Sequence, residues 1–186
     1  MVTGRIVSVN VGLPRDVVWN DHDVSTGMFK EPIAGRVKVR TLGLEGDKQA
    51  DLTVHGGPQK AVYAYPSEHY DFWKKELGRT SMAWGMFGEN LTTQDLLENV
   101  VRLGDEYRVG SVTFVVTQPR FPCYKLGIKF GTMEMVKQFQ ESGRSGFYLA
   151  VMGEGDVGAR DRIELIRSDK SYPTISEVFT SERGDD

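Results

Sequence analysis

The single cysteine of the chain, Cys123, stands in the run Gln118-Pro119-Arg120-Phe121-Pro122-Cys123-Tyr124-Lys125-Leu126, directly after the apolar segment VTFVV. Two prolines remove backbone donors and fix φ, so a strand has to end here and the cysteine sits on a stiff, unpaired stretch. Arg120 and Lys125 flank the thiol. Cationic neighbours favour thiolate over thiol, and the thiolate is the form that ligates metals or attacks electrophiles. Against this stands the plainer role of a lone cysteine, which also packs as a small buried hydrophobe.

Three further segments combine ligand-binding residue types with turn formers. Gly43-Leu44-Glu45-Gly46-Asp47, and beyond it Asp51-Leu52-Thr53-Val54-His55-Gly56-Gly57, follow a strand-like run. Closely spaced glycines let backbone amides approach an anion, and His55 has a donor for the same ligand. Turns and a loop anchor account for the same residues, and the spacing is neither a dinucleotide nor a phosphate-loop fingerprint. In Phe87-Gly88-Glu89-Asn90-Leu91-Thr92-Thr93, Asn90 offers donor and acceptor atoms for a heterocycle edge, or an Asx turn entering a strand. Ser142-Gly143-Arg144-Ser145-Gly146 sets a guanidinium between small residues, which suits a bidentate phosphate contact or a surface turn. The three histidines have no zinc spacing, and no GxSxG elbow is present.

The elements that must position these segments are mostly strands. Period-two alternation marks GRIVSVNV at 4–11 and GRVKVRTL at 35–42, with a polar, poorly patterned stretch between them up to Lys30. AVYAY at 61–65 is a further strand, stopped by Pro66. Residues 101–116 form a hairpin turning at Val109-Gly110-Ser111, and 147–152 and 162–166 are the last strands, joined by a turn at 153–156. One helix starts after Ser67 as a cap, carries Tyr70, Trp73 and Leu77 on one face, and ends at Gly78. A second spans Thr132 to Glu141, and a short one falls within Pro173 to Phe179. Strands outnumber helices and no regular βαβ alternation exists, so the expected fold is mainly β, a barrel with two or three peripheral helices. The main domain covers 1–166, followed by a short C-terminal tail at 167–186.

Composition excludes several classes. With 186 residues, 39% of them hydrophobic and 26% charged, the chain has the make-up of a globular protein and is too apolar for disorder. A net charge of −3 gives no global attraction to nucleic acid. No apolar run approaches the roughly 20 residues that span a bilayer, and the alternating N-terminus is no signal peptide. One cysteine suits a reducing compartment, so a cytoplasmic location is expected.

Taken in order, GLEGDKQADLTVHGGPQKAVYAYPSEHY, FGENLTT, LGDEYRVGSVTFVVTQPRFPCYKLGIKF and SGRSGFYLAVMGEGDV resemble the bacterial YiiM-like branch of the MOSC domain family, over about Gly4 to Ile166. That family is named for the C-terminal part of eukaryotic molybdenum-cofactor sulfurase. The resemblance implies a β-barrel that binds a molybdopterin-type molybdenum cofactor, with Cys123 as a ligand to the metal. Soft thiolate is a reasonable donor beside dithiolene sulfurs. It further implies a reductase of N-hydroxylated compounds, such as N-hydroxylated purine bases or amidoximes. Electrons would come from a separate flavin or iron–sulfur protein, since one cysteine cannot hold a cluster. Carried onto this sequence, His55, Gly56 and Gly57 shape the pocket wall and Asn90 binds pterin or substrate. Arg120 and Lys125 favour the thiolate and help hold the anionic cofactor, Arg144 reaches its terminal phosphate, and Asp47 relays a proton to the departing oxygen. The rival reading is a molybdenum cofactor or sulfur carrier that uses the Cys123 thiolate. YiiM-like relatives often carry a three-helix module after the barrel; here at most its first helix is expected. Nothing in the sequence signals an oligomeric state.

Overall fold

The structure, a computed structural model, describes residues 2–48 and 56–183. β1 (Val2–Val11) leads into a hairpin of β2 (Arg15–Trp19) and β3 (His22–Thr26), then β4 (Glu31–Pro32), β5 (Arg36–Arg40) and β6 (Gly43–Leu44). A 3-10 turn (Pro58–Lys60) precedes β7 (Val62–Pro66), which is followed by α1 (His69–Glu76), β8 (Leu91–Gln94), β9 (Glu106–Val109) and β10 (Val112–Pro119). The chain ends with α2 (Tyr124–Phe130), α3 (Glu134–Ser142), β11 (Phe147–Gly153), β12 (Gly155–Gly158), β13 (Arg162–Arg167) and α4 (Ile175–Arg183).

Seven strands run in the order β13-β9-β10-β11-β7-β8-β1, and β1 returns to pair with β13, closing a barrel. All pairings within it are antiparallel except β7 with β8. Closure satisfies strand edges that would otherwise template aggregation. A small sheet, β12-β5-β6, sends Val37, Val39, Leu44 and Val157 into the same core as the barrel interior.

β7 is buried along its whole length, and its alternation explains why. Val62 and Ala64 point into the barrel core, while Tyr63 and Tyr65 point outward into a second, aromatic cluster. That cluster is roofed by helices: Trp73 of α1, Leu126 of α2, and Met135 and Phe139 of α3 pack around Phe87. Tyr65 lies 4.6 Å from Phe87, centroid to centroid, and its hydroxyl accepts a 2.8 Å hydrogen bond from the Trp73 indole.

The mainly β barrel agrees with the expectation from the sequence, with four differences of detail. Among the described residues four helices lie outside it, because α2 adds a seven-residue helix after Cys123 that the sequence reading did not include. The polar stretch before Lys30 contains the β2–β3 hairpin, which turns at Asn20 and Asp21 with φ of 50° and 63°. Asx residues adopt that left-handed geometry readily. Gly155 and Asp156, read as part of a turn, open β12 and pair with Val39 and Lys38. Ser67 does not cap α1 through its side chain; its carbonyl accepts the Tyr70 amide instead.

One buried polar atom in the barrel makes a prediction. Thr93 is fully buried, its Oγ1 has no hydrogen-bond partner among the described residues, and it borders a small void with Ile6, Ala64 and Leu91. Thr93→Val keeps the shape and removes the stranded hydroxyl, so it should leave stability equal or raise it by about 1 kcal/mol. Urea unfolding with an unchanged m-value checks this; a clear loss of stability would contradict it.

Candidate functional site

A solvent-open cleft forms where several distant segments meet. The stretch after β3 contributes Thr26, Gly27, Met28 and Lys30, and the 3-10 turn contributes Lys60. Gly88 and Asn90 come from the loop before β8, Tyr63 from β7, Tyr148 from β11, and Arg120, Phe121, Cys123 and Lys125 from the β10–α2 junction. Cys123 is the N-cap residue of α2 in extended geometry (φ −124°, ψ 170°), placed where the strand has stopped and the helix has not begun. The helix closes at Gly131, whose φ of 76° suits a glycine C-cap.

Among the described residues, four of the lining residues are basic and none is acidic. The chain as a whole carries −3, so the cleft opposes the global charge. Arg120 is only 4% exposed, and its guanidinium carbon lies 5.0 Å from the Tyr63 ring centroid and 5.1 Å from that of Phe139. Nη2 rests 3.5 Å from the Met28 sulfur, and Nη1 has no hydrogen-bond partner among the described residues. Burial works against the guanidinium charge, yet the phenols of Tyr63 and Tyr148 and the Cys123 thiol outweigh it and hold the pKa above its ordinary value. Among the described residues this buried cation faces rings, phenols and a thiol but no carboxylate, surroundings that suit an anion.

Behind the cleft wall the arrangement is complementary. Lys30 and Asp47 form a buried ion pair, Nζ reaching the two carboxylate oxygens at 2.5 and 2.7 Å. The Gly12 amide and the Asn90 side chain also donate to Asp47, at 3.0 and 2.9 Å. Asn90 is equally committed: its Oδ1 accepts the Tyr63 amide, and Nδ2 also donates to the Asn10 carbonyl. Asp47 thus lies outside the cleft lining as an anchor for Lys30, and Asn90 stitches the cleft wall to β1 and β7.

The structure sorts the remaining expectations. Cys123, Arg120 and Lys125 come together in the cleft, with Asn90 in its wall. His55 lies outside the described residues. Gly56 and Gly57 are not among the lining residues; Gly57, with φ of 85°, opens the turn that delivers Lys60. Arg144 is not brought to the cleft: its guanidinium stacks 3.6 Å from the Phe72 ring centroid and donates to the Ser142 carbonyl. The glycine beside it matters more. A Cβ on Gly146 (φ 61°) would lie 2.5 Å from the Ala64 carbonyl and 2.8 Å from the Tyr63 ring, so only glycine lets this loop reach β7. Sequence reasoning missed Met28, Lys30, Lys60, Tyr63 and Tyr148. The tyrosines had a faint signal, as outward positions of alternating strands, but their pairing across β7 and β11 is set by register.

Comparison with known proteins follows the same lines. Residues 51–164 match the MOSC domain. The chain is 43% identical to the uncharacterized protein YflK of Bacillus subtilis over 161 residues, 87% of this chain and 72% of that one. It is 40% identical to protein YiiM of Escherichia coli over 178 residues, 95% of this chain and 74% of that protein. A protein of Gibberella moniliformis named reductase is 31% identical over 157 residues, 83% of this chain but 28% of that longer one. Among solved structures, YiiM from Geobacillus stearothermophilus superposes with a TM-score of 0.80 at 34% identity, covering 97% of this chain and 84% of that one.

Two substitutions separate the two kinds of buried charge. Asp47→Ala leaves Lys30 buried without its partner and should cost about 3–5 kcal/mol of stability. Arg120→Met removes a charge with no carboxylate to lose, and should stabilise the cofactor-free protein by about 1–3 kcal/mol. Millimolar pyrophosphate should raise the melting temperature of the wild type and not of Arg120→Met. Equal destabilisation by both variants in chemical unfolding would refute this view of Arg120.

Proposed function

Because the chain belongs to the MOSC domain family, we propose that it is a molybdenum-cofactor-dependent reductase that converts N-hydroxylated compounds, such as N-hydroxylated purine bases or amidoximes, to the amine. The observation that carries this reading is the buried Arg120 guanidinium beside the one cysteine, in a cleft whose described residues include four bases and no acid. These residues fit an anionic, thiolate-ligated group. The Cys123 side chain supplies a soft donor for the metal. Arg120, Lys125 and Lys60 supply positive charge for the cofactor's acidic groups, and the stranded Nη1 of Arg120 is an unfilled donor that such a group would satisfy. Bound there, the cofactor would supply two-electron oxygen-atom chemistry.

The protein's own residues do the rest. Lys30 is fixed by Asp47 behind the cleft wall, so its charge is compensated and it serves to hold that wall in place. Tyr63 and Phe139 hold the Arg120 guanidinium by its faces. The similarity to a segment of a longer fungal protein named reductase supports a redox role over a carrier role. Electrons would come from a separate flavin or iron–sulfur protein. Neither nucleic acid nor membrane is proposed as a partner. No helix among the described residues is long and apolar enough to cross a membrane. The single cysteine supports a cytoplasmic location.

The test supplies cofactor-loaded protein with a chemical or flavoprotein reductant and 6-N-hydroxylaminopurine or benzamidoxime. Multiple turnovers to the amine are expected, and Cys123→Ser should lose at least about 99% of the rate while keeping its melting temperature, since the change is nearly isosteric. Stoichiometric hand-over of cofactor with no turnover, the metal being present and reducible, would favour the carrier instead.

A further inference from the structure

Two phenols line the cleft beside Arg120, and they form a cross-strand pair. Tyr148 of β11 stands in register with Tyr63 of β7, their ring centroids 5.4 Å apart. Their hydroxyl hydrogens are committed differently. Tyr63 donates to the Ser145 carbonyl at 2.7 Å, an acceptor that the close approach of Gly146 to β7 holds in place. The Tyr148 hydroxyl has no acceptor among the described residues, although the residue is fixed by its backbone carbonyl, which accepts from Thr117.

The surroundings of Tyr148 are cationic. Lys60 Nζ lies 5.9 Å from its ring centroid, and Arg120, Cys123 and Tyr148 line the same cleft. With Arg120 acting on the phenol and the ring in the cleft lining, the hydroxyl is in reach of a ligand bound there. Lysine and arginine donors attract anions without discrimination, whereas a neutral hydroxyl suits a neutral polar group. We propose that Tyr148 donates a hydrogen bond to the oxygen of the substrate's N–O group. It thereby selects compounds that carry oxygen on nitrogen and stabilises the negative charge that grows on that oxygen as the bond weakens. This rests on the reductase reading of the same cleft and adds the residue that recognises the substrate.

The experiment compares Tyr148→Phe with Tyr63→Phe in the cofactor-loaded protein. Tyr148→Phe should keep wild-type molybdenum and pterin content and melting temperature, yet lower kcat on 6-N-hydroxylaminopurine by about 10²-fold, the usual effect of removing one donor to a developing oxyanion. Calorimetric titration of the same compound into oxidised protein, with no reductant, should show roughly tenfold weaker binding. Tyr63→Phe should lower the melting temperature and affect kcat far less. Unchanged kcat and affinity in Tyr148→Phe would overturn the proposal. So would loss of molybdenum or pterin, which would make Tyr148 a cofactor contact, and so would parallel losses of rate and stability in both variants. If the wild type itself turns over no N-hydroxylated compound, the reductase reading fails and this inference falls with it.

Discussion

A buried guanidinium set against aromatic rings, with no carboxylate facing it among the described residues, is expensive to fold around. Desolvating a charge costs several kcal/mol in real proteins, and a cation over ring faces recovers about 2 of them when buried. Three buried acids of the described fold are committed to partners other than Arg120. Glu89 accepts from Tyr70, Thr92 and the amides of Gly85 and Phe87. Glu98 is taken by His69 and the Gly146 amide, and Asp47 by Lys30, Asn90 and Gly12. Three networks thus bind the loops and strands around the cleft, and none lends a carboxylate to it. The basic character of the cleft is a consequence of where the acids are used, and the overall charge of −3 gives no hint of it.

The same logic assigns the glycine-rich motifs their work. Gly88 (φ 79°) has Met28 so near that a Cβ would lie 2.8 Å from its sulfur, and Met28 is the residue that touches Arg120 Nη2. Gly146 lets its loop meet β7, which fixes the Ser145 carbonyl on Tyr63. Gly57 starts the turn that carries Lys60. In each case the glycine brings a neighbouring residue to the cleft, where a direct contact of backbone amides with an anion had been the expectation for Gly56 and Gly57.

How much of this was legible in the sequence depended on whether the signal was local. Alternation revealed β1, β5 and the β9–β10 hairpin because one face of each is buried and the other is not. Tyr70 and Trp73 marked α1 at helical spacing. The β2–β3 hairpin escaped because its residues are mostly exposed, with too little apolar contrast for a period to show. α2 escaped because seven residues give barely two turns, and its Gly127 is there for packing: a Cβ would lie 2.6 Å from the Met133 sulfur. In the cleft, Arg120, Cys123 and Lys125 were visible because they share six consecutive residues. Lys30, Tyr63 and Tyr148 come from three separate segments, and only barrel closure and strand register make them neighbours. Arg144 misled for the converse reason: small flanking residues imitate an anion site, while its guanidinium lies on Phe72.

Rigidity of the thiol-bearing segment is the last requirement, because a metal ligand must be held in place before the metal arrives. Pro119 and Pro122 stiffen the backbone on either side of Phe121. Phe121 then stacks on Phe179 of α4, ring centroids 4.8 Å apart at 13°. α4 is itself seated on the barrel: Ile175 belongs to the main core, and its amide donates to the Val101 carbonyl. The C-terminal helix therefore reaches the cleft through one aromatic contact, two residues before Cys123. Arg183 at its end donates to the Gln140 and Glu141 carbonyls, tying α4 to the end of α3, the helix whose Phe139 lies over Arg120. Through Phe121 and through α3, one short helix braces the two features that give the cleft its chemistry, the thiol and the uncompensated cation.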